Sequence, residues 1–133
     1  MIFQLHGHHN RLHVARLLVE LGKLLQESVY GSQANFGSTI DGLFVSACVL
    51  IGHAENRPMS ASKIAHYLRM PRTTVLRKLD ELEKLNMIER RGTVFVIPAK
   101  RSSSSDHIER SVKLIKRYAK ILDHASILDN QTS

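Results

Sequence analysis

The apolar positions of the chain fall into five helical patterns and one short extended pair. From about Arg11 to Tyr30, Val14, Leu18, Leu21 and Leu25 recur at steps of 4, 3 and 4, with Leu12, Ala15 and Val19 beside them. Two adjacent stripes at that spacing predict a helix with a broad apolar face. Gly31 to Gly37 reads as a loop. Ser38, with Asp41 three residues on, predicts the cap of a second helix that runs to about Ala54. That helix is apolar on most sides, so it is expected at the centre, and Asn56, Arg57 and Pro58 stop it.

Ser60 predicts another N-cap, opening a short helix from Ala61 to Leu68 with Ile64, Ala65 and Leu68 inward. Arg69, Met70 and Pro71 form a tight break. A helix from Pro71 or Arg72 to about Leu85 follows, with Val75, Leu79 and Leu82 as its buried stripe and Asn86 as its left-handed terminator. Met87 to Arg90 and Thr93 to Ile97 flank Arg91 and Gly92, the pattern of a β-hairpin that Pro98 ends. Lys100 to Ser105 is a polar linker. The last helix, Asp106 to about Leu128, carries two stripes, one through Ile108, Val112, Ile115, Ala119 and Leu122, the other through Leu114, Tyr118, Ile121, Ala125 and Leu128. Asn130 to Ser133 are expected to fray.

At 133 residues and 43% apolar, the chain suits one globular domain and neither a disordered tail nor a disulfide-framed module. Its one cysteine, Cys48, has no partner for a bridge and reads as a small core residue. The start lacks the charged and apolar regions of a signal peptide. The most apolar run, Leu43 to Ile51, is far short of the roughly 20 residues that cross a bilayer. A cytoplasmic protein is expected.

The net charge of +7 changes the picture because of where it sits. Residues 1–59 are neutral overall, whereas residues 60–101 hold ten basic and four acidic side chains. A field concentrated in one window suits a polyanion. Within the fourth helix, Arg72, Arg77 and Lys78 come first and Asp80, Glu81 and Glu83 after, against the helix dipole. That order makes sense where a phosphate arrives at the N-terminal end. With Val75, Leu79 and Leu82 buried, Thr73, Arg77, Asp80 and Lys84 fall on the opposite side.

Two short helices joined by a three-residue break and followed by a hairpin describe a winged helix-turn-helix, here a three-helix core plus a β-hairpin wing in a mainly α chain. Residues 59–97 resemble the winged-helix domains of the MarR and IclR families of bacterial regulators. The resemblance rests on Ser60, Ile64, Ala65, Leu68, Pro71 to Val75, Arg77, Leu79, Leu82, Ile88, Arg90 to Gly92 and Phe95. It covers about 40 residues of the chain, with residues 38–101 as the DNA-binding lobe. Arg69 stands where those families usually have glycine, and the wing is short. IclR-like proteins carry a large effector domain, for which this chain is too short. MarR-like dimers pair through long flanking helices, here 11–30 and 106–128, and often bind small aromatic or phenolic effectors. Nothing in the sequence identifies an effector.

The expected function is therefore a homodimeric, sequence-specific regulator of transcription, a repressor, on a pseudo-palindromic operator in double-stranded DNA. Arg77 is assigned to a guanine edge in the major groove, and Thr73 and Thr74 to bases, a thymine methyl or a phosphate. Ser62, Arg72 and Lys78 are assigned to phosphates, Arg69, just before the helix, is counted with the DNA-binding residues, and Arg90 and Arg91 are assigned to the backbone or minor groove. The apolar stripes of the two terminal helices are too broad for one small module to cover, which predicts the dimer. The alternative is a winged helix used for protein–protein assembly without specific DNA binding. His6, His8, His9 and His13 cluster near the start, with His9 and His13 one turn apart, but no Cys or near carboxylate completes a zinc site. No metal, cofactor or catalytic constellation is expected.

Overall fold

The computed structural model describes residues 9–31, 35–99 and 105–132. The chain is mainly helical with one small antiparallel sheet. In order it forms α1 (His9–Tyr30), α2 (Phe36–Ala54), β1 (Met59–Ser60), α3 (Ala61–Leu68), α4 (Arg72–Lys84), β2 (Glu89–Arg91), β3 (Val94–Val96) and α5 (Ser105–Thr132). α1 as far as Ser28 belongs with α5 in one compact unit. From Val29 the chain builds a second unit, containing α2 through β3. Among the described residues, no helix is long and apolar enough to cross a membrane.

In the second unit the stripes predicted by spacing meet. Val45, Cys48 and Val49 of α2 pack with Ile64 of α3, with Val75, Leu79 and Leu82 of α4, and with Phe95 of β3, all almost fully buried. α2 is central, but only one of its faces is covered: Phe44 and Leu50 are about half exposed, at 48% and 54%. Its cap also differs from expectation. Asn35 Oδ1 accepts the Gly37 amide at 3.1 Å, so the helix already begins at Phe36, ahead of the Ser38 start. The Ser38 side chain lies outside the described residues, as do residues 100–104 of the linker.

The hairpin is part of a three-stranded sheet in the order β1-β3-β2. Met59 pairs with Phe95, which lays the start of α3 against the central strand. A two-residue strand is too short to show alternation, so only the hairpin was predictable. Arg91 pairs with Val94 across the Gly92-Thr93 turn, where Gly92 takes φ +62°. That places glycine at the first central position, as a type II′ hairpin turn requires. At the other end of β3, the Ile97 amide donates to His53 Nδ1 at 2.9 Å, tying the sheet to the last turn of α2.

The first unit is an antiparallel pair. The Asp129 carboxylate of α5 accepts the His9 and Asn10 amides, both at 2.9 Å, and faces His9 Nδ1 at 2.8 Å. A side chain 120 residues away thus caps the first turn of α1. The Asn10 amide, and behind it the His9 amide and ring, hold the Asp129 carboxyl below the usual carboxylate range. This anchor accounts for α5 continuing to Thr132, past the expected end at Leu128. Farther along, Arg117 Nη2 meets Glu20 Oε2 at 3.3 Å, and the rings of His13 and Tyr118 lie 6.5 Å apart.

One contact in the second unit fixes a residue type. The Tyr30 hydroxyl is buried without a hydrogen-bond partner among the described residues and sits over Gly42 of α2, so that a Cβ at Gly42 would overlap it. Burial first, then Glu81 and Asp41, push the Tyr30 hydroxyl up to about 12. Gly42→Ala is expected to cost about 1–3 kcal/mol by overpacking. Tyr30→Phe, which removes a polar atom with no partner among the described residues, is expected to be neutral or stabilising. In the Tyr30→Phe background the Gly42→Ala penalty should shrink. Urea unfolding of the two single variants and the double variant checks this, and an unchanged penalty would contradict the contact.

Candidate nucleic-acid interface

The joint between α3 and α4 is built from local backbone rules. Ser60 Oγ accepts the Lys63 amide at 3.2 Å and caps α3, as its sequence position predicts. α3 ends on Arg69 in the left-handed conformation, at φ 54° and ψ 44°. The Arg69 amide reaches His66 O at 3.3 Å and the Met70 amide reaches Ala65 O at 3.0 Å, which closes the last turn. Glycine usually fills such a position because a Cβ there costs roughly 1 kcal/mol. The chain keeps an arginine instead, with its side chain exposed.

Pro71 then sets the start of α4 at φ −57°, with no side-chain cap and no acidic residue in the first turn. Its carbonyl accepts the Thr74 and Val75 amides at 3.1 and 3.2 Å. The Arg72 and Thr73 amides keep the outward orientation of a helix start, which favours anions.

The fold sorts the charges of residues 60–101. All four acidic side chains of this window take a cation, and each such cation lies in the second half of α4 or on the hairpin, apart from Lys78 at mid-helix. Lys78 meets Glu81 at 3.2 Å, Lys84 meets Asp80 at 2.9 Å, Arg90 meets Glu83 at 3.7 Å and Arg91 meets Glu89 at 3.6 Å. The Asp80 hydrogen bond, ahead of its charge, raises the Lys84 ammonium above its ordinary value. The remaining described cations of the window are Lys63, Arg69, Arg72 and Arg77. All four are exposed and none makes an ion pair among the described residues. They lie on α3, the turn and the first half of α4.

Of the residues singled out in the sequence, Ser62, Arg69, Arg72, Thr73 and Arg77 are exposed in this stretch and Thr74 is half-buried. Lys78 is corrected. It is only 9% exposed, paired with Glu81, and does not belong to the open cationic surface. Lys78 falls about 60° around the helix from Val75, so its stem joins the edge of the buried stripe. Arg90 and Arg91 are exposed but engaged: the Arg90 guanidinium also stacks over Phe95 at 4.9 Å. Lys63 was not singled out, although its place one residue after Ser62 in the first turn of α3 signals it.

The other candidate chemistry stays apart from this surface. Cys48 is buried in the core, and burial pushes its thiol up. His9 is engaged by Asp129 and His13 faces Tyr118, while His6 and His8 lie outside the described residues. Among the described residues, no three His, Cys, Asp or Glu side chains gather as a metal site would need.

Arg69→Gly relieves the left-handed conformation and is expected to raise stability by about 0.5–1 kcal/mol. Thermal unfolding checks the sign, and a loss of stability would mean that the Arg69 side chain holds the turn. Comparison with protein-family models, with curated proteins and with solved structures finds no match for this chain.

Proposed function

We propose that the chain is a transcriptional regulator, a repressor of the winged helix-turn-helix class, that binds double-stranded DNA sequence-specifically as a homodimer. The observation that carries this reading is the sorting of charge just described. Every carboxylate of the basic window is neutralised by a cation behind or beside it. Lys63, Arg69, Arg72 and Arg77 remain for an external anion at an uncapped helix start.

In this reading α4 enters the major groove by its first two turns. Arg77 reads a guanine O6/N7 pair, with Thr73 and Thr74 beside it on bases or phosphate. Lys63, Arg69 and Arg72 hold the flanking phosphates, together with the Ser62 hydroxyl. With Asp80, Glu81 and Glu83 paired, the second half of the helix offers the backbone no net positive charge. Arg90 and Arg91 of the hairpin wing give up their intramolecular partners on binding, which makes the wing the weaker contributor.

Self-association is supported by α1 and α5. Leu18 is 67% exposed and Ile108 56%, with Val14, Val112 and Ile115 beside them. Apolar surface of that extent on two helices marks an interface. A two-fold dimer matches a pseudo-palindromic operator with half-sites about 34 Å apart.

Selection of bound duplexes from a random pool tests the reading, because a regulator enriches one sequence and an assembly module enriches none. On the selected duplex, Arg77→Ala is expected to cost about 1–3 kcal/mol and to relax preference at one base position. Unchanged affinity and preference would remove Arg77 from the interface.

A further inference from the structure

The middle of α5 carries a second cationic surface, in the unit that holds no part of α4. From Arg110 to Lys120 there are five basic side chains, Arg110, Lys113, Lys116, Arg117 and Lys120, and no acidic one. At 100° per residue they fall within an arc of about 120°. The opposite flank holds the exposed apolar Ile108, Val112 and Ile115, while Ser111, Tyr118 and Ala125 form the buried seam between. The cations therefore make one continuous stripe about 15 Å long.

The stripe works against the helix that carries it. Arg110–Lys113, Lys113–Lys116, Lys113–Arg117, Lys116–Lys120 and Arg117–Lys120 are all three or four residues apart, and like charges at that spacing destabilise a helix. Relief is partial. Arg117 meets Glu20 at 3.3 Å and Arg110 meets Asp106 at 3.8 Å. Lys113, Lys116 and Lys120 are exposed and make no ion pair among the described residues. Beside them α1 and α5 enclose an open groove of about 440 Å³ lined by Glu20, Leu24, Arg110, Lys113, Leu114 and Arg117. Three of the five cations, Arg110, Lys113 and Arg117, thus border a concavity.

We propose that this stripe is a second contact to the phosphate backbone of duplex DNA. It reads no bases and adds affinity by releasing counterions. A stripe about 15 Å long runs alongside about four base pairs of one strand, at roughly 3.4 Å per step. Lysines predominate at the unpaired positions, and they suit a point-charge contact to a repeating phosphate better than the bidentate reading of an edge. The inference rests on the DNA-binding reading above, while its residues lie outside the α3–α4 surface.

The experiment is a salt titration of binding to a mixed-sequence duplex about three turns (~30 bp) long, with the full chain and with K113Q/K116Q/K120Q. All three side chains are exposed, so thermal unfolding should not weaken. The expected result is a slope of log affinity against log salt shallower by up to about 3, at about 0.9 for each phosphate that the variant leaves unneutralised. Preference among selected duplexes should be unchanged. An unchanged slope overturns the proposal and leaves the α4 reading standing. Absence of duplex binding by the unaltered chain overturns both.

Discussion

Charge neutralisation is the constraint on which the open cationic surface depends. The window of residues 60–101 has more cations than carboxylates, and its geometry decides which cations are satisfied. Asp80, Glu81, Glu83 and Glu89 all lie at or behind the middle of α4, and they pair within their own neighbourhood. Such surface pairs add little stability, typically below about 1 kcal/mol. Their consequence is electrostatic: they cancel the field over the back of α4 and the hairpin and leave it at the α3–α4 turn. The uncapped start of α4 adds its dipole to the same spot.

Packing fixes the direction in which that surface faces. Val75, Leu79 and Leu82 are held against α2, so Thr73 and Arg77 must point away from the core. The left-handed Arg69 compresses the connection to three residues and places its own cation close in the chain to the cationic start of α4. A backbone strain of roughly 1 kcal/mol is retained at a position where glycine would remove it. The three-stranded sheet completes the same unit. Met59 opposite Phe95 and the Ile97–His53 hydrogen bond anchor the hairpin to the last turn of α2 and the start of α3.

Much of this was legible in the residues. The 4-and-3 spacing of Val75, Leu79 and Leu82 identified the buried side of α4, Ser60 its neighbour's cap, and Asn86 a left-handed terminator at φ 59°. What periodicity could not supply was tertiary. Nothing near Asp129 in sequence indicates that it caps a helix more than a hundred residues earlier. Asn35 displaced Ser38 as the α2 cap because both are good capping residues and the spacing of the helix does not choose between them. The site was legible as a cationic helix start, but its membership was not. Lys78 counts as a cation in the sequence and as a buried, paired side chain in the fold. Charge totals misled in the other direction on α5, where Asp106, Glu109, Asp123 and Asp129 flank the run from Arg110 to Lys120 and hide it in a near-neutral sum.

The most direct test of the central claim is a backbone amide chemical-shift titration of the full chain with a selected duplex. Within the unit from Val29 to Ser103, the largest shifts should fall on the Arg72 and Thr73 amides and their neighbours from Arg69 to Arg77. Amides around Lys84 should stay nearly still. Shifts centred on the paired half of α4, or none at the turn while the duplex is bound, would contradict the account.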